Sequence, residues 1–318
     1  MSVSEYNATQ SIEAAITKIR ELHPQIEQLH NKLGEIIQDS HTKQPSSFNK
    51  QSSTYWKLII YRDSLIRIQL FLEQNFNYIE SMGLLAVTRY LFELTVWLKL
   101  VQKDEEYGFV YYHELIVTKS KYFTDLRKHI TREVDFLRET DVEEKHLIER
   151  RIHEATVLSD SESRQESLLQ LGKSVEKEID DKASRKFSIY GEQAQINGYG
   201  FQALLVETKI LPDIDQSITE LEVELNQFKH TVAVSIHLSI PKRWNWKEQA
   251  KLVDIEDEYN FIYSYTSKLL HAIPVSLTTN QKNLEISEMI IFLKYIYVRL
   301  LDIIDMAEQL LLTTNASS

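Results

Sequence analysis

The chain has 318 residues and a net charge of −11, with 43% hydrophobic and 26% charged residues. This is ordinary globular usage, which excludes wholesale disorder and fibrous classes. It contains only 7 glycines and 5 prolines, whereas a sheet protein of this length needs many tight turns built from them. The composition therefore predicts few, long elements. The acidic balance disfavours a dedicated phosphate-backbone binder, because that affinity comes largely from Lys and Arg.

Cysteine is absent, which excludes disulfides, thiolate metal sites and Cys nucleophiles. The N-terminus is polar and lacks an apolar signal core. The most apolar stretch, Met289–Leu312, is interrupted by Lys294, Arg299, Asp302 and Asp305, so it predicts a core helix and not a membrane span. We therefore predict a cytoplasmic protein without a membrane segment. No P-loop, dinucleotide fingerprint, nucleophile elbow or zincin helix occurs, and no cofactor is expected.

The N-terminal segment 1–38 carries two interleaved sets of apolar residues at seven-residue spacing: Ile12, Ile19, Ile26 and Leu33, and Ala15, Leu22, Leu29 and Ile36. Such spacing forms one stripe along an amphipathic helix. Pro24 falls on the opposite face, so it either kinks one long helix or starts a second after His23. We favour packing of the stripe within its own chain. A coiled-coil seam between two copies is the alternative, because four heptads are near the minimum for one.

The polar, Ser-rich segment 39–53 predicts a flexible loop. Segment 54–138 predicts core helices. One of these helices, Tyr78–Lys103, has apolar residues on nearly every side. A helix of that kind is central and buried.

Segment 139–190 mixes charges of both signs and keeps only a narrow apolar stripe. This pattern predicts a long charged helical hairpin that protrudes from the core, with a solvated linker as the alternative. Segment 191–318 predicts C-terminal helices that complete the bundle, including one over Trp246–Ala272. Three prolines are expected to end helices in this part of the chain: Pro212, Pro241 and Pro274. The whole chain is thus predicted to be all-α, a multi-helix bundle with a protruding hairpin.

Two separate helices carry side chains at four-residue spacing: Arg89, Glu93 and Trp97 in one, and Tyr259, Tyr263, Ser267 and His271 in the other. Residues four apart share a helix face. Charge inside an apolar helix is costly unless paired, so Arg89 and Glu93 are expected to meet each other or the polar face of the second helix. We favour a structural network that fixes helix register. The alternative is a working pocket, in which burial tunes the pKa of His271.

The order of these residues carries a family resemblance over Tyr78–Lys103 and Trp246–Leu277. The pattern consists of Arg89, Glu93, Trp246, Ala250, Tyr259, Tyr263, Ser267, His271 and Pro274. It resembles a bacterial all-helical family of unknown function that occurs in some phage-defence and abortive-infection settings. The resemblance implies that these positions matter together, and it supplies no reaction.

A helical, defence-linked protein invites comparison with the HEPN ribonucleases, whose signature is Arg followed by four to six residues and then His. None of the ten histidines has an Arg at that spacing. Metal-free RNA cleavage needs a base and a charge stabiliser, and His271 with Arg89 fills these roles only in a diverged site. The leading hypothesis is a helical interaction or regulatory protein with a protein partner or self-association. The rival is such an effector enzyme, with Arg89, Glu93, Tyr263, Ser267 and His271 as catalytic candidates.

One segment combines basic and aromatic residues, the chemistry that holds single-stranded nucleic acid: Lys242, Arg243, Trp244, Trp246 and Lys247. Burial of the tryptophans in an interhelical turn is the favoured interpretation, so a nucleic-acid partner stays open but is not favoured. Two pairs have the spacing of di-iron ligands: Glu27 with His30, and Glu143 with His146. Both pairs lie off the apolar stripes, and no metal site is expected.

Overall fold

The computed structural model describes residues 3–75, 81–156, 161–232, 236, 239–270 and 284–316. Within these ranges the chain is helical and contains no strand, which confirms the predicted all-α, multi-helix fold. The chain divides into two compact units. The first comprises Met1–Glu114 and Phe228–Ser318, and the second comprises Leu115–Gln227.

In chain order the helices are α1 Val3–Glu21, α2 His23–Lys43, α3 Ser53–Asn75, α4 Ser81–Lys103, α5 Tyr107–Thr156, α6 Ser161–Ala183, α7 Gly191–Asn197, α8 Tyr199–Leu205, a first π-helical segment Val206–Ile210, α9 Leu211–Thr231, α10 Trp246–Leu252, α11 Glu256–Glu258, a second π-helical segment Tyr259–Tyr263, α12 Ser264–Leu270 and α13 Ile286–Ala316.

The N-terminal stripe packs inside the first unit. A new helix, α2, begins at His23 with Pro24 in its first turn. Backbone N–H groups in the first turn have no partner within the helix, so the missing N–H of a proline costs nothing there. The stripe residues Ile19, Ile26 and Leu33 are fully buried, because α1 packs against α13 and α2 against α3. These side chains therefore pack within their own chain, as in the favoured interpretation.

The central helix of the first unit is α4, which is buried along most of its length. It packs against α13, α12 and the second π-helical segment. Phe92 and Val96 of α4 share a hydrophobic cluster with Ala250, Val253 and Ile255. Removing this much apolar surface from water is the main stabilising contribution to such a helix.

Two helix boundaries differ from the sequence prediction. The loop after α2 is confined to 44–52, where Phe48 is buried and the Trp56 indole N–H donates to the Lys50 carbonyl at 2.9 Å. The helix predicted to end near Arg138 continues in α5 to Thr156. No Gly or Pro occurs between Phe109 and that end, so nothing interrupts the backbone hydrogen bonds.

One predicted interruption is absent, and one break occurs where a continuous helix was predicted. Pro212 does not end a helix, because the chain runs unbroken from α8 through the first π-helical segment into α9. There the Leu211 N–H reaches the Val206 carbonyl, the wider spacing of a π turn. The predicted helix Trp246–Ala272 instead breaks at Asp254, whose φ is 59°. Asp is one of the few side chains that tolerate this left-handed conformation.

The second unit has its own core, built from both arms of the charged hairpin and from the helices that follow it. Val175 and Ile179 from the second arm belong to a buried cluster against which Leu147 and Ile148 from the first arm pack. Tyr199 from α8 belongs to the same cluster. Segment 139–190 therefore shares a core with the residues after 190. Residues 157–160, which contain the start of the predicted hairpin tip, lie outside the described ranges.

Candidate functional site

The predicted polar cluster of the first unit centres on Arg89. Its Nε donates to Glu93 Oε1 at 3.1 Å, and its Nη2 donates to the Tyr263 hydroxyl at 3.0 Å. The guanidinium carbon lies 4.7 Å from the centroid of the Tyr263 ring. The structure thus brings together three of the sequence-predicted site residues from two distant segments.

Local geometry explains how these side chains meet. Arg89 and Glu93 are one helical turn apart on α4, the spacing at which side chains touch. Tyr263 ends the second π-helical segment, and its ring stacks on that of Tyr259 with centroids 4.9 Å apart. The Tyr263 ring also packs 5.5 Å from Phe92 of α4. A π-helical turn is rare and frequently marks a functional site.

The remaining predicted site residues have different outcomes. Ser267 lies one turn after Tyr263 on α12, and its Oγ is buried with no hydrogen-bond partner in the described part of the chain. His271 lies outside the described residues. The role assigned to His271 stays a prediction.

A cleft of about 370 Å³ lies beside this cluster and is lined by Asp63, Tyr90, Glu93, Trp97, Tyr111 and Trp246. These residues come from α3, α4, the first turns of α5 and the start of α10. Its volume falls in the range of small-ligand sites. Glu93 belongs to both features, because it pairs with Arg89 and also lines the cleft.

The aromatic wall of the cleft is held by ring packing. Trp97 stacks on Trp244 with centroids 4.0 Å apart and an interplanar angle of 15°, and it meets Tyr111 edge-on at 5.3 Å. Trp244 in turn packs edge-on against Trp246 at 5.4 Å. Such contacts add to the stabilisation that burial of the rings provides.

This packing shows which side chains of the basic and aromatic segment 242–247 are buried and which are exposed. Trp244 and Trp246 pack inward, as the favoured interpretation has it, while Lys242 and Arg243 are exposed. Lys247 lies 3.6 Å from Glu256. The segment therefore supplies one wall of the cleft.

No protein-family model, curated protein or solved structure matches this chain. The assignment of the site therefore rests on its own geometry. The resemblance to a defence-linked helical family stays a prediction.

Two further observations concern membranes and metals. Among the described helices, none combines the length and the apolar character needed to cross a bilayer. His30 Nε2 lies 2.6 Å from Gln69 Oε1, and Glu143 pairs with Lys182. Within the described ranges, no group of three or more His, Asp or Glu side chains is arranged to hold a metal ion.

Both carboxyl groups of the cleft have raised pKa values. Burial raises the pKa of Glu93, although the hydrogen bond and charge of Arg89 oppose the shift. Partial loss of water likewise raises the pKa of Asp63, against the opposing charge of Arg62, although the Asp63 side chain is still 57% exposed. Burial is also the main reason why the pKa of Tyr263 is raised, so its hydroxyl stays protonated. In both carboxyl groups the loss of water outweighs the adjacent arginine.

The raised pKa of Glu93 predicts a pH-dependent difference in stability. The folded protein keeps a proton on Glu93 above the ordinary pKa of 4.5, where the unfolded chain releases it. The stability that the protonated Glu93 side chain gives to the fold is therefore fully present below the ordinary pKa, and it is lost as pH rises through the raised pKa of the folded protein. Gln resembles the protonated form at every pH, so Glu93→Gln is expected to gain stability relative to the wild type as pH rises. Urea unfolding at acidic and neutral pH measures this, and a difference that does not change with pH contradicts it.

The charged and tyrosine residues that line the cleft but were not among the predicted site residues are Asp63, Arg67, Tyr90 and Tyr111. Asp63 and Tyr111 lie in helices that were predicted from apolar spacing alone. Tyr90 directly follows Arg89, but it lies on a different face of α4. The charged residues inside the apolar run of α3, Asp63 among them, were the available signal, and they did not reveal which helix would lie opposite.

Proposed function

We propose that this chain is a helical interaction or regulatory protein, and that the cleft of its first unit is a binding site. The observation that carries the proposal is the pairing of Arg89 with both Glu93 and Tyr263 beside an aromatic-lined cleft. A general base needs a free position within reach of the proton it takes. Here the charged groups are used to hold two segments together, and the adjacent aromatic surface offers contact area.

The cleft is a better candidate surface than the N-terminal stripe. The stripe side chains are buried against α3 and α13, so pairing two copies through them would require the first unit to open. The charged hairpin stays a second partner surface within this proposal. Its exposed ion pairs, such as Arg151 with Glu178 at 3.6 Å, contribute little to stability and leave the surface available. We also propose a cytoplasmic location and, from the resemblance, a role in phage defence.

One observation favours the effector-enzyme alternative, a HEPN-like metal-independent ribonuclease or another enzyme. The buried Ser267 Oγ has no hydrogen-bond partner among the described residues, and unpaired buried hydroxyls are uncommon outside functional sites. This alternative predicts that Ser267→Ala abolishes a cellular effect of the protein, such as toxicity on overexpression, without lowering its melting temperature. If the chain is an interaction protein, Ser267→Ala should change neither the cellular effect nor the melting temperature.

Site-specific photo-crosslinking tests the binding proposal. A benzophenone amino acid replaces Tyr111, which lines the cleft, and in a control protein it replaces Tyr122, which is 61% exposed on α5 and does not line it. We expect irradiation of cells to give a defined adduct from position 111 and none of the same mass from position 122. Intact-mass spectrometry identifies the adduct, and circular dichroism shows that both proteins are folded.

Two folded proteins that give the same adducts, or none, would contradict a binding site in the cleft. The outcome is informative for either kind of occupant. A small molecule adds its own mass to the chain, and a protein partner gives a new band in gel electrophoresis.

A further inference from the structure

The cleft of the first unit combines aromatic faces with two carboxyl groups. Trp97, Tyr111 and Trp246 line it together with Glu93 and Asp63. From this combination we infer that its ligand is an organic cation, an alkylated ammonium or a guanidinium group. The inference rests on the proposed binding function and names the ligand class of that same site.

Aromatic rings attract cations through the negative face of the π system, most strongly in Trp. The packing of the wall fixes the rings before any ligand arrives, because Trp97 stacks on Trp244 and meets Tyr111 edge-on, while Trp246 packs edge-on against Trp244. A preorganised wall loses little conformational entropy on binding. These features suit a compact cation that presents apolar carbon and positive charge together.

Glu93 supplies an acceptor that the protein itself does not use fully. Arg89 donates to Oε1 of Glu93, and in the described part of the chain no hydrogen-bond donor lies against Oε2. The side chain is 25% exposed, so this oxygen is only partly hydrated. A ligand N–H or a polarised N–CH group can take the free position.

Three arginines lie near the two carboxyl groups, and one of them, Arg67, also lines the cleft. Arg89 is bonded to Glu93 and Tyr263, and Arg62 lies 3.5 Å from Asp63. The Arg67 guanidinium lies 5.3 Å from the centroid of the Phe71 ring, which faces it from the same helix. These arginines already neutralise part of the negative charge of the two carboxylates. A cationic ligand binds only if the carboxylates can still be stabilised by a further positive charge.

The pKa shifts of the two carboxyl groups indicate that a further positive charge would stabilise them. Arg89 and Arg62 lower the pKa of Glu93 and Asp63, yet burial leaves both pKa values raised. The ionised form of each carboxyl group is therefore less stable than in water, even with an arginine beside it. A cation beside Glu93 would stabilise that form.

Titration with choline tests the inference directly. Its matched control is the neutral carbon analogue of choline, in which a quaternary carbon replaces the nitrogen, so shape is kept and charge is removed. We expect saturable binding of choline, seen by calorimetry and as a change in tryptophan fluorescence from Trp97 and Trp246. Binding of the carbon analogue should be weaker by about tenfold or more, the cost of losing one favourable charged contact.

Two variants locate the binding. Glu93→Gln keeps the size of the side chain and removes its charge, and it is expected to weaken choline binding by about tenfold. Glu105→Gln is the control, because Glu105 accepts from Ser53 at 2.9 Å and contacts Lys57 at 3.4 Å away from the cleft. It should leave choline affinity unchanged. Circular dichroism confirms that both variants are folded.

A peptide containing trimethyllysine distinguishes the two sources of such a cation. Tighter binding of the peptide than of choline indicates a protein side chain, and equal affinity indicates a small molecule. Equal binding of choline and its carbon analogue, or no binding of choline and peptide across the millimolar range, would overturn the inference. A cleft adduct in the Tyr111 cross-linking experiment together with that result would leave the binding function intact and reject only the cation.

Discussion

Arg89→Ala is expected to lower the free energy of unfolding by about 3 kcal/mol, as for other ion pairs from which one partner is removed. The substitution leaves Glu93 largely buried without its cation, and it also removes the donor to the Tyr263 hydroxyl. The Arg89 and Glu93 side chains are only 27% and 25% exposed, so water replaces the lost contact incompletely. Urea unfolding followed by circular dichroism measures the change.

Two comparisons make the Arg89 result specific. Arg127→Ala removes an arginine from the pair with Asp215, in which both side chains are 48% exposed, and it should leave the urea midpoint where it is. The double variant Arg89→Met with Glu93→Leu should recover much of the lost stability, because apolar replacements remove the uncompensated charge. An unchanged midpoint for Arg89→Ala, with loss of a cellular effect, would support the catalytic alternative.

Leu33→Ala is expected to lower the free energy of unfolding by about 3 kcal/mol, the typical cost of such a cavity. Leu33 is 0% exposed and lies on the face of α2 that packs within the chain. Because the contact is intramolecular, the loss should be the same at low and high protein concentration. Leu312→Ala is the control, since Leu312 is 72% exposed and its removal should have a small effect.

A concentration-dependent midpoint would contradict packing of the stripe within one chain. It would indicate that α2 is shared between two copies, as in a coiled coil. Light scattering on the wild type and on Leu33→Ala, at the same concentrations, identifies the species present.

The all-α class and the central position of α4 could be predicted because they depend on local properties. Scarce turn residues and apolar side chains all around Tyr78–Lys103 report helix formation and burial without knowledge of the partner helices. The start of α2 near Pro24 was one of two alternatives for the same reason, since proline has a strong local preference. The meeting of Arg89 with Tyr263 was an expectation from the cost of burying an unpaired charge.

Other features depended on tertiary packing and could not be predicted. The cleft forms where α3, α5 and α10 meet beside α4, and no spacing within one helix shows which side chains will line it. Asp254 breaks the predicted helix although it is an exposed residue, and its neighbours Val253 and Ile255 are both buried in the core cluster of α4. Pro212 failed to end a helix because a π turn accommodates it.

The polar network and the cleft are connected through Glu93. Arg89, which is itself bonded to Tyr263, holds Glu93 on one side, and the Glu93 side chain also lines the cleft. If the network is structural, loss of Tyr263 should reduce stability and leave the aromatic wall able to bind. Positioning by a buried ion pair is consistent with a site that does not move to bind its ligand.

A double-mutant cycle between Arg89→Ala and Tyr263→Phe tests this juxtaposition most directly. Urea unfolding of the wild type, both single variants and the double variant gives the coupling free energy between the two side chains. We predict a coupling of about 1.5 kcal/mol, the lower end of the net contribution expected of a hydrogen bond to a charged group, because this one is only partly buried. A coupling indistinguishable from zero would show that Arg89 and Tyr263 do not contact each other in solution, which would contradict both the network and the site built on it.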